Sequence, residues 1–322
     1  MPPRAERPRR WRAAAGVALG LAAAGVLAYV VLGLVRPEAV LRGGYALLGS
    51  LLGVERKLVE VDGRRWAVLE AGPADAPVIV LLHGFTGSKE NWLPLMAVLA
   101  RSHRVVAPDL PGWGESERVA GADHGVVAQA DRVARWLESR GAPPALLAGH
   151  SMGGHIAALV AARHPAQVPR LALIAAAGVP FAENTFTRAV LAGEHPFAVH
   201  DTASLRQYLG LVFTDPPPLP WPLGRALLRQ RIADADFEHE VLASLRGPER
   251  FAVQPLLPDI EAPTLLLWCD DDRVIDPNAA AVFAAGLPES QLRLLPGCGH
   301  MPMLAAIPAT AAALREAAAL SR

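Results

Sequence analysis

The sequence has 322 residues, enough for one large domain with an insertion or for two domains. Lysine plus arginine number 31, matched by 31 aspartates and glutamates, so the basic excess that holds nucleic acid is missing. Hydrophobic residues make up 52% and charged residues 19%, an apolar balance for a soluble protein, and much of it sits at one end.

That end reads as a membrane anchor. Ala13 to Val35 carries no charge and would span about 34 Å as a helix, enough to cross a bilayer. Arg4, Arg7, Arg9, Arg10 and Arg12 precede it, while only Arg36 and Arg42 follow closely. The positive-inside rule then keeps the N-terminus in the cytoplasm and sends the rest to the outer, non-cytoplasmic face. A cleaved signal peptide competes, with Ala22-Ala23-Ala24 as its small-residue site, but cleavage there would leave GVLAYVVLGLV exposed. Arg9-Arg10 lacks the remainder of a twin-arginine signal, and the Gly16 to Gly20 spacing is coincidental in so Ala- and Gly-rich a segment. Residues 37–57 are expected to form an apolar juxtamembrane stretch, interrupted at Gly43-Gly44 and lying against the bilayer.

Lys57 to Glu70 alternates around Asp62-Gly63, a hairpin signal. After Pro77 come short solid apolar runs: Val78–Leu82, Arg104–Ala107, Ala145–Ala148, Leu171–Ala175, Thr264–Trp268 and Gln291–Leu295. Helical stretches separate most of them, such as Asp123–Ser139, where Val126, Ala130, Val133, Ala134 and Leu137 share a face. This alternation predicts an α/β fold with a mostly parallel sheet covered by helices on both faces. It breaks over 179–258, a Pro- and aromatic-rich stretch expected to form short helices as a cap inserted into a core of 58–178 and 259–322. Its apolar residues, among them Phe181, Phe186, Val190, Phe197, Leu205, Tyr208, Leu209, Val212, Phe213, Leu219 and Trp221, would divide between a small core of its own and a pocket. In α/β sheets ligands bind at the carboxyl ends of the strands, where such a cap would sit.

Within LLAGHSMGGHIAAL the turn from strand to helix must fall on Ser151, between Gly149 and Gly153. So sharp a turn holds its central residue in a strained backbone conformation and brings the flanking positions into contact, which small side chains permit. The arrangement Gly149-His150-Ser151-Met152-Gly153 is that of a nucleophile elbow. A serine hydroxyl needs a base to take its proton and a third group to orient that base. His300 follows the last predicted strand, in Pro296-Gly297-Cys298-Gly299-His300, and the preceding strand ends in Cys269-Asp270-Asp271-Asp272-Arg273-Val274. Both fall in the order Ser, acid, His. The backbone N–H groups of Met152 and of Phe85, in the loop Leu82-His83-Gly84-Phe85-Thr86-Gly87, are the expected oxyanion donors. His83, at a strand end, is expected to be a structural hydrogen-bonding residue. Ten histidines without HExxH or comparable spacing predict no metal site, and no cofactor is expected.

With these pieces assembled, the chain resembles the serine α/β-hydrolases of the membrane-anchored monoacylglycerol-lipase and bacterial-lipase kind. The matching stretches are LLHGFTGSKENW, APDLPGWGES, LAGHSMGGHIAALVAARHP, PTLLLWCDDDRVIDP and LPGCGHMP, from about residue 78 to 303. The resemblance implies an eight-stranded sheet, a triad of Ser151, Asp272 and His300, and loop-structuring roles for Asp270, Asp271 and Asp276. It also implies hydrolysis of carboxylic esters with apolar acyl chains. The departures are Cys269, where relatives often have Gly, and Ala305, where they often have Glu. A Cys269–Cys298 disulfide is conceivable across neighbouring strand ends if the domain is exported, but it is not expected, because it would tie the acid loop to the histidine loop. The alternatives are carbon–carbon bond hydrolysis of a dienoate-type diketone and a non-catalytic binding protein. A membrane anchor gains nothing for soluble catabolites, and no triad member is missing.

Overall fold

A computed structural model describes residues 7–319. Helix α1 (Arg7–Val35) is unbroken through the apolar stretch, and Val17–Val35 is long and apolar enough to cross a membrane while being almost wholly unburied by the rest of the chain. Arg4 of the basic cluster lies outside the described residues. Arg36 separates α1 from α2 (Pro37–Leu51), which opens with proline at its first turn, where no backbone N–H is needed, and Glu38 beside the positive end of the helix dipole. The expected interruption at Gly43-Gly44 is absent: α2 runs straight through both glycines. Its tertiary packing accounts for this, since Arg229 on a later helix donates to the carbonyl of Val35 (2.9 Å) and lies 3.7 Å from Glu38.

The sheet starts at Val54, a few residues before the boundary expected from the hairpin alone. Strands β1 (Val54–Val61) and β2 (Arg64–Ala71) pair antiparallel around Asp62 and Gly63, whose φ values of 51° and 70° are those of a type I′ turn. The remaining strands are β3 (Val78–Leu82), β4 (Arg104–Pro108), β5 (Leu146–His150), β6 (Leu171–Ile174), β7 (Thr264–Cys269) and β8 (Ser290–Leu295). They form one eight-stranded sheet in the order β1-β2-β4-β3-β5-β6-β7-β8, parallel from β4 onward. All of β5, β6 and β7 is buried, which is why these strands read as solid apolar runs and not as alternation.

Helices α3 (Leu93–Leu99), α4 (Val126–Ser139) and α5 (Met152–Arg163) connect the central strands, and the predicted face of α4 (Val126, Ala130, Val133, Ala134, Leu137) is buried. Between β6 and β7 the chain leaves the sheet for α6 (Thr185–Leu191), α7 (Thr202–Val212), α8 (Leu223–Ala233) and α9 (Ala235–Arg246). Asn184 and Asp201 cap α6 and α7 by accepting from the N–H groups of Thr187 and Ser204. A buried pair of Arg231 with Glu238 (2.7 Å) joins α8 to α9. Helices α10 (Ala279–Gly286), α11 (Pro302–Ala305) and α12 (Ile307–Ala319) complete the described chain.

Candidate active site

Ser151 stands between the end of β5 and the start of α5 with φ 53° and ψ −118°, a sparsely populated conformation costing roughly 1–3 kcal/mol. The flanking glycines hold it there. A Cβ on Gly149 would lie 2.1 Å from the carbonyl oxygen of Gly153, and one on Gly153 would lie 2.4 Å from that of His83. The backbone compensates by saturating the serine's own peptide groups. Its N–H donates to Ile174 (2.9 Å), and its carbonyl accepts from Gly154 (2.9 Å), His155 (3.1 Å) and Ala177 (3.1 Å).

His300, in the loop after β8, is buried and its Nδ1 lies 2.8 Å from Asp272 Oδ2. The other carboxylate oxygen of Asp272 accepts from the N–H groups of Val274 (2.9 Å) and Ile275 (3.0 Å), which fixes the acid from the opposite side. The neighbouring aspartates point elsewhere. Asp270 accepts from the N–H of Gly297 (2.9 Å), Asp271 from Thr214 (2.9 Å) and Arg273 (2.8 Å), and Asp276 from the N–H of Asn278 (3.0 Å). Ser151 and His300 line one small cavity together, of about 30 Å³. Phe85 lines that cavity too, and Met152, as the first residue of α5, has an N–H without an intrahelical acceptor.

In the loop after β3 the positive φ falls on Thr86 (60°), and the glycines serve close approach. A Cβ on Gly84 would lie 3.0 Å from Ser151 Cβ, and one on Gly87 would lie 2.8 Å from Asn91 Oδ1. His83 bridges two loops: its Nδ1–H donates to Gly84 (2.8 Å) and its Nε2 accepts from the N–H of Leu110 (3.0 Å). Burial pushes its imidazole down to about 4, so it stays neutral in that bracket.

Cys269 and Cys298 form a disulfide, Cα to Cα 5.1 Å, against expectation. The cause is register: β7 and β8 are neighbours, Cys269 pairs with Leu295 across them, and Cys298 lies just beyond in the turn. Tying the two loops together fits the geometry, because Asp272 and His300, one from each loop, stand 2.8 Å apart.

Two supports were not foreseen. His150, the variable position of the elbow, donates from Nε2 to the carbonyl of His300 (2.7 Å), with burial and the neighbouring imidazole of His300 keeping it uncharged. Lys89, wholly buried, reaches Asp109 (2.7 Å), Glu115 (2.8 Å) and Glu90 (2.7 Å), and so joins the loop after β3 to the loop after β4. A lysine amid GSKENW reads as a surface residue from sequence, and nothing local names its partners.

A second, larger chamber of about 100 Å³ also opens on Ser151 and is walled by Phe181, Phe186, Val190 and Phe197 from the insertion, joined by Leu242 and Ile275. Of the other apolar residues named from sequence, Tyr208 and Val212 line the smaller cavity. Leu209, Phe213 and Leu219 line a third space of about 880 Å³ beside α2. Leu205 is buried within the insertion, and Trp221 is 46% exposed and meets Tyr29 of α1 edge-on at 5.6 Å.

Residues 79–313 match the model of the alpha/beta hydrolase family, and the chain belongs to that family. Among curated proteins it is 27% identical to monoacylglycerol lipase ABHD6 of Mus musculus over 88% of each chain. It is also 27% identical to Lipase 1 of Psychrobacter immobilis, over 80% of this chain and 81% of that one. Among solved structures it resembles a bacterial membrane phospholipase A, described as a virulence factor, with TM-score 0.84 and 37% identity over 96% of this chain and 99% of that one. A lipase of Acinetobacter baumannii follows at TM-score 0.78 and 26% identity, covering 85% and 94%.

Proposed function

We propose that this protein is a membrane-anchored serine lipase or esterase that hydrolyses carboxylic esters with apolar acyl chains, monoacylglycerol-like substrates among them. The observation that carries this reading is a strained serine, Ser151, opening on an apolar chamber and sharing a cavity with a histidine already bonded to a buried carboxylate. The lipase names of its relatives agree with it.

In this mechanism the ester carbonyl sits above Ser151 with its acyl chain in the chamber. Ser151 Oγ attacks the carbonyl carbon while His300 Nε2 takes the hydroxyl proton. Asp272, bonded at Nδ1, holds the tautomer and stabilises the imidazolium. The N–H groups of Phe85 and Met152 receive the oxyanion, each donor lowering the barrier by about 3–4 kcal/mol. His300 then returns the proton to the leaving alcohol, and a water deacylates Ser151 by the same sequence in reverse. The helical insertion is the cap that supplies most of the chamber's apolar wall.

Helix α1 holds the enzyme on the bilayer, and the arginine asymmetry of the N-terminal segment puts the catalytic domain on the outer face. The Cys269–Cys298 disulfide supports that side independently, since disulfides persist in oxidising compartments and are rare in the cytosol. The test is a series of p-nitrophenyl esters from acetate to palmitate. With about 0.8 kcal/mol for each methylene buried, kcat/KM should rise from two carbons to roughly eight. Equal or better activity on acetate would contradict the lipid reading.

A further inference from the structure

The larger chamber beside Ser151 has mostly aliphatic and aromatic walls, interrupted by Thr187, Arg246, Arg250 and one wholly buried histidine. His155 lines it, sits one helical turn beyond Ser151 on α5, and is 1% exposed. Its Nε2 has no hydrogen-bond partner among the described residues. The ring is wedged in place. A Cβ on Gly178, where φ is +111°, would lie 2.7 Å from His155 Cδ2 and 2.8 Å from Val253 Cγ1. A buried polar atom without a partner is destabilising, so an alkyl side chain would suit a chamber built only for alkyl chains better. Burial lowers this imidazole to about 3, so it stays a neutral ring at the chamber wall. The free nitrogen of a neutral imidazole is a donor or an acceptor according to tautomer, and an alcohol hydroxyl satisfies either.

We propose that His155 is a specificity residue that hydrogen-bonds a hydroxyl on the substrate's acyl chain, so that hydroxyacyl esters are preferred over plain esters of the same length. This rests on ester hydrolysis at Ser151 and narrows its substrate class. The step from Ser151 to His155 is about 6 Å along the helix, which sets the contact near the carboxyl end of the chain and away from its tail.

The experiment compares kcat/KM for p-nitrophenyl 3-hydroxyoctanoate and p-nitrophenyl octanoate, using the full-length protein in detergent. Wild type should favour the hydroxy ester by about tenfold, the size of one net hydrogen bond. That ratio should fall to near one in His155→Leu and His155→Phe, two variants so that one folded example suffices, and recover in part in His155→Gln. A wild-type ratio at or below one would overturn the proposal without any variant. So would a ratio unchanged in a folded apolar variant, which would leave an ordered water as the partner of Nε2. Turnover of neither ester by wild type would overturn the ester reading itself, and this narrower one with it.

Discussion

A methyl group on Gly153 has nowhere to go: the carbonyl oxygens of His83 and Leu82 stand 2.4 and 2.5 Å from where it would be. Both are backbone atoms of the loop that carries Phe85, so Gly153→Ala would push the elbow away from that loop. It should lower Tm by several degrees and cut ester turnover together, measurable by calorimetry beside a rate assay. The side chains of the site behave differently from its glycines, because their loss leaves the backbone alone. Ser151→Ala and His300→Ala should each remove turnover with Tm nearly unchanged, and the double variant should be no worse than either, since the pair acts as a unit. Asp272→Asn should lower kcat by orders of magnitude through loss of the orienting carboxylate. Asp270→Asn keeps an oxygen for the N–H of Gly297, and should be nearly silent. A silent Asp272→Asn beside a dead Asp276→Asn would mean that the acid is misassigned. Ser151 and the glycines were legible because backbone strain restricts the residue types allowed there. His150 and Lys89 were not, because their partners, His300 and Asp109, come from other loops.

At the scale of elements, four loops at the carboxyl ends of β3, β5, β7 and β8 carry the candidate site, and ties to neighbouring loops hold them. His83 and Lys89 tie the loop after β3 to that after β4, and the disulfide ties the loop after β7 to that after β8. With the cysteines 29 positions apart in sequence, chain-entropy arguments put the disulfide's contribution at roughly 3–4 kcal/mol. Cys269→Ala with Cys298→Ala should therefore lower Tm markedly and reduce kcat more than it raises KM, because His300 and Asp272 lose a shared tether. Unchanged kcat at a temperature where the variant is folded would show that Asp270 and the strand register suffice. Lys89→Met leaves Asp109 buried with its cation gone, a loss of about 3–5 kcal/mol by analogy with broken buried pairs; chemical denaturation measures it. The solid apolar strands were readable because central parallel strands are buried on both faces. The neighbouring strand ends made the disulfide conceivable, but the sequence does not show that the two loops tolerate being tied; the pairing of β7 with β8 sets the cysteines side by side.

For the molecule as a whole, pH links these pieces. Burial holds His83 at about 4 and His155 at about 3, whereas both titrate near 6.5 when unfolded. The unfolded chain therefore takes up protons that the fold refuses as pH falls from 6.5 toward 4. The stability these neutral rings provide is complete above about 6.5 and is lost through that window, by a few kcal/mol for His83 alone. Denaturation midpoints between pH 7 and 4.5 should fall accordingly, and His83→Gln should flatten the slope. The long apolar helix was legible in composition alone, since no charge interrupts the run over a bilayer's thickness. The contact of Trp221 with α1 was not, because nothing in either segment names the other. An alkaline phosphatase reporter fused after Val35 should be active outside the cytoplasm; activity confined to the cytoplasm would reverse the topology. The proposed mechanism requires Ser151 to be the nucleophile. A fluorophosphonate probe followed by peptide mass spectrometry should give one adduct on Ser151 in wild type and none in Ser151→Ala. An adduct on another residue, or labelling undiminished in Ser151→Ala, would contradict it.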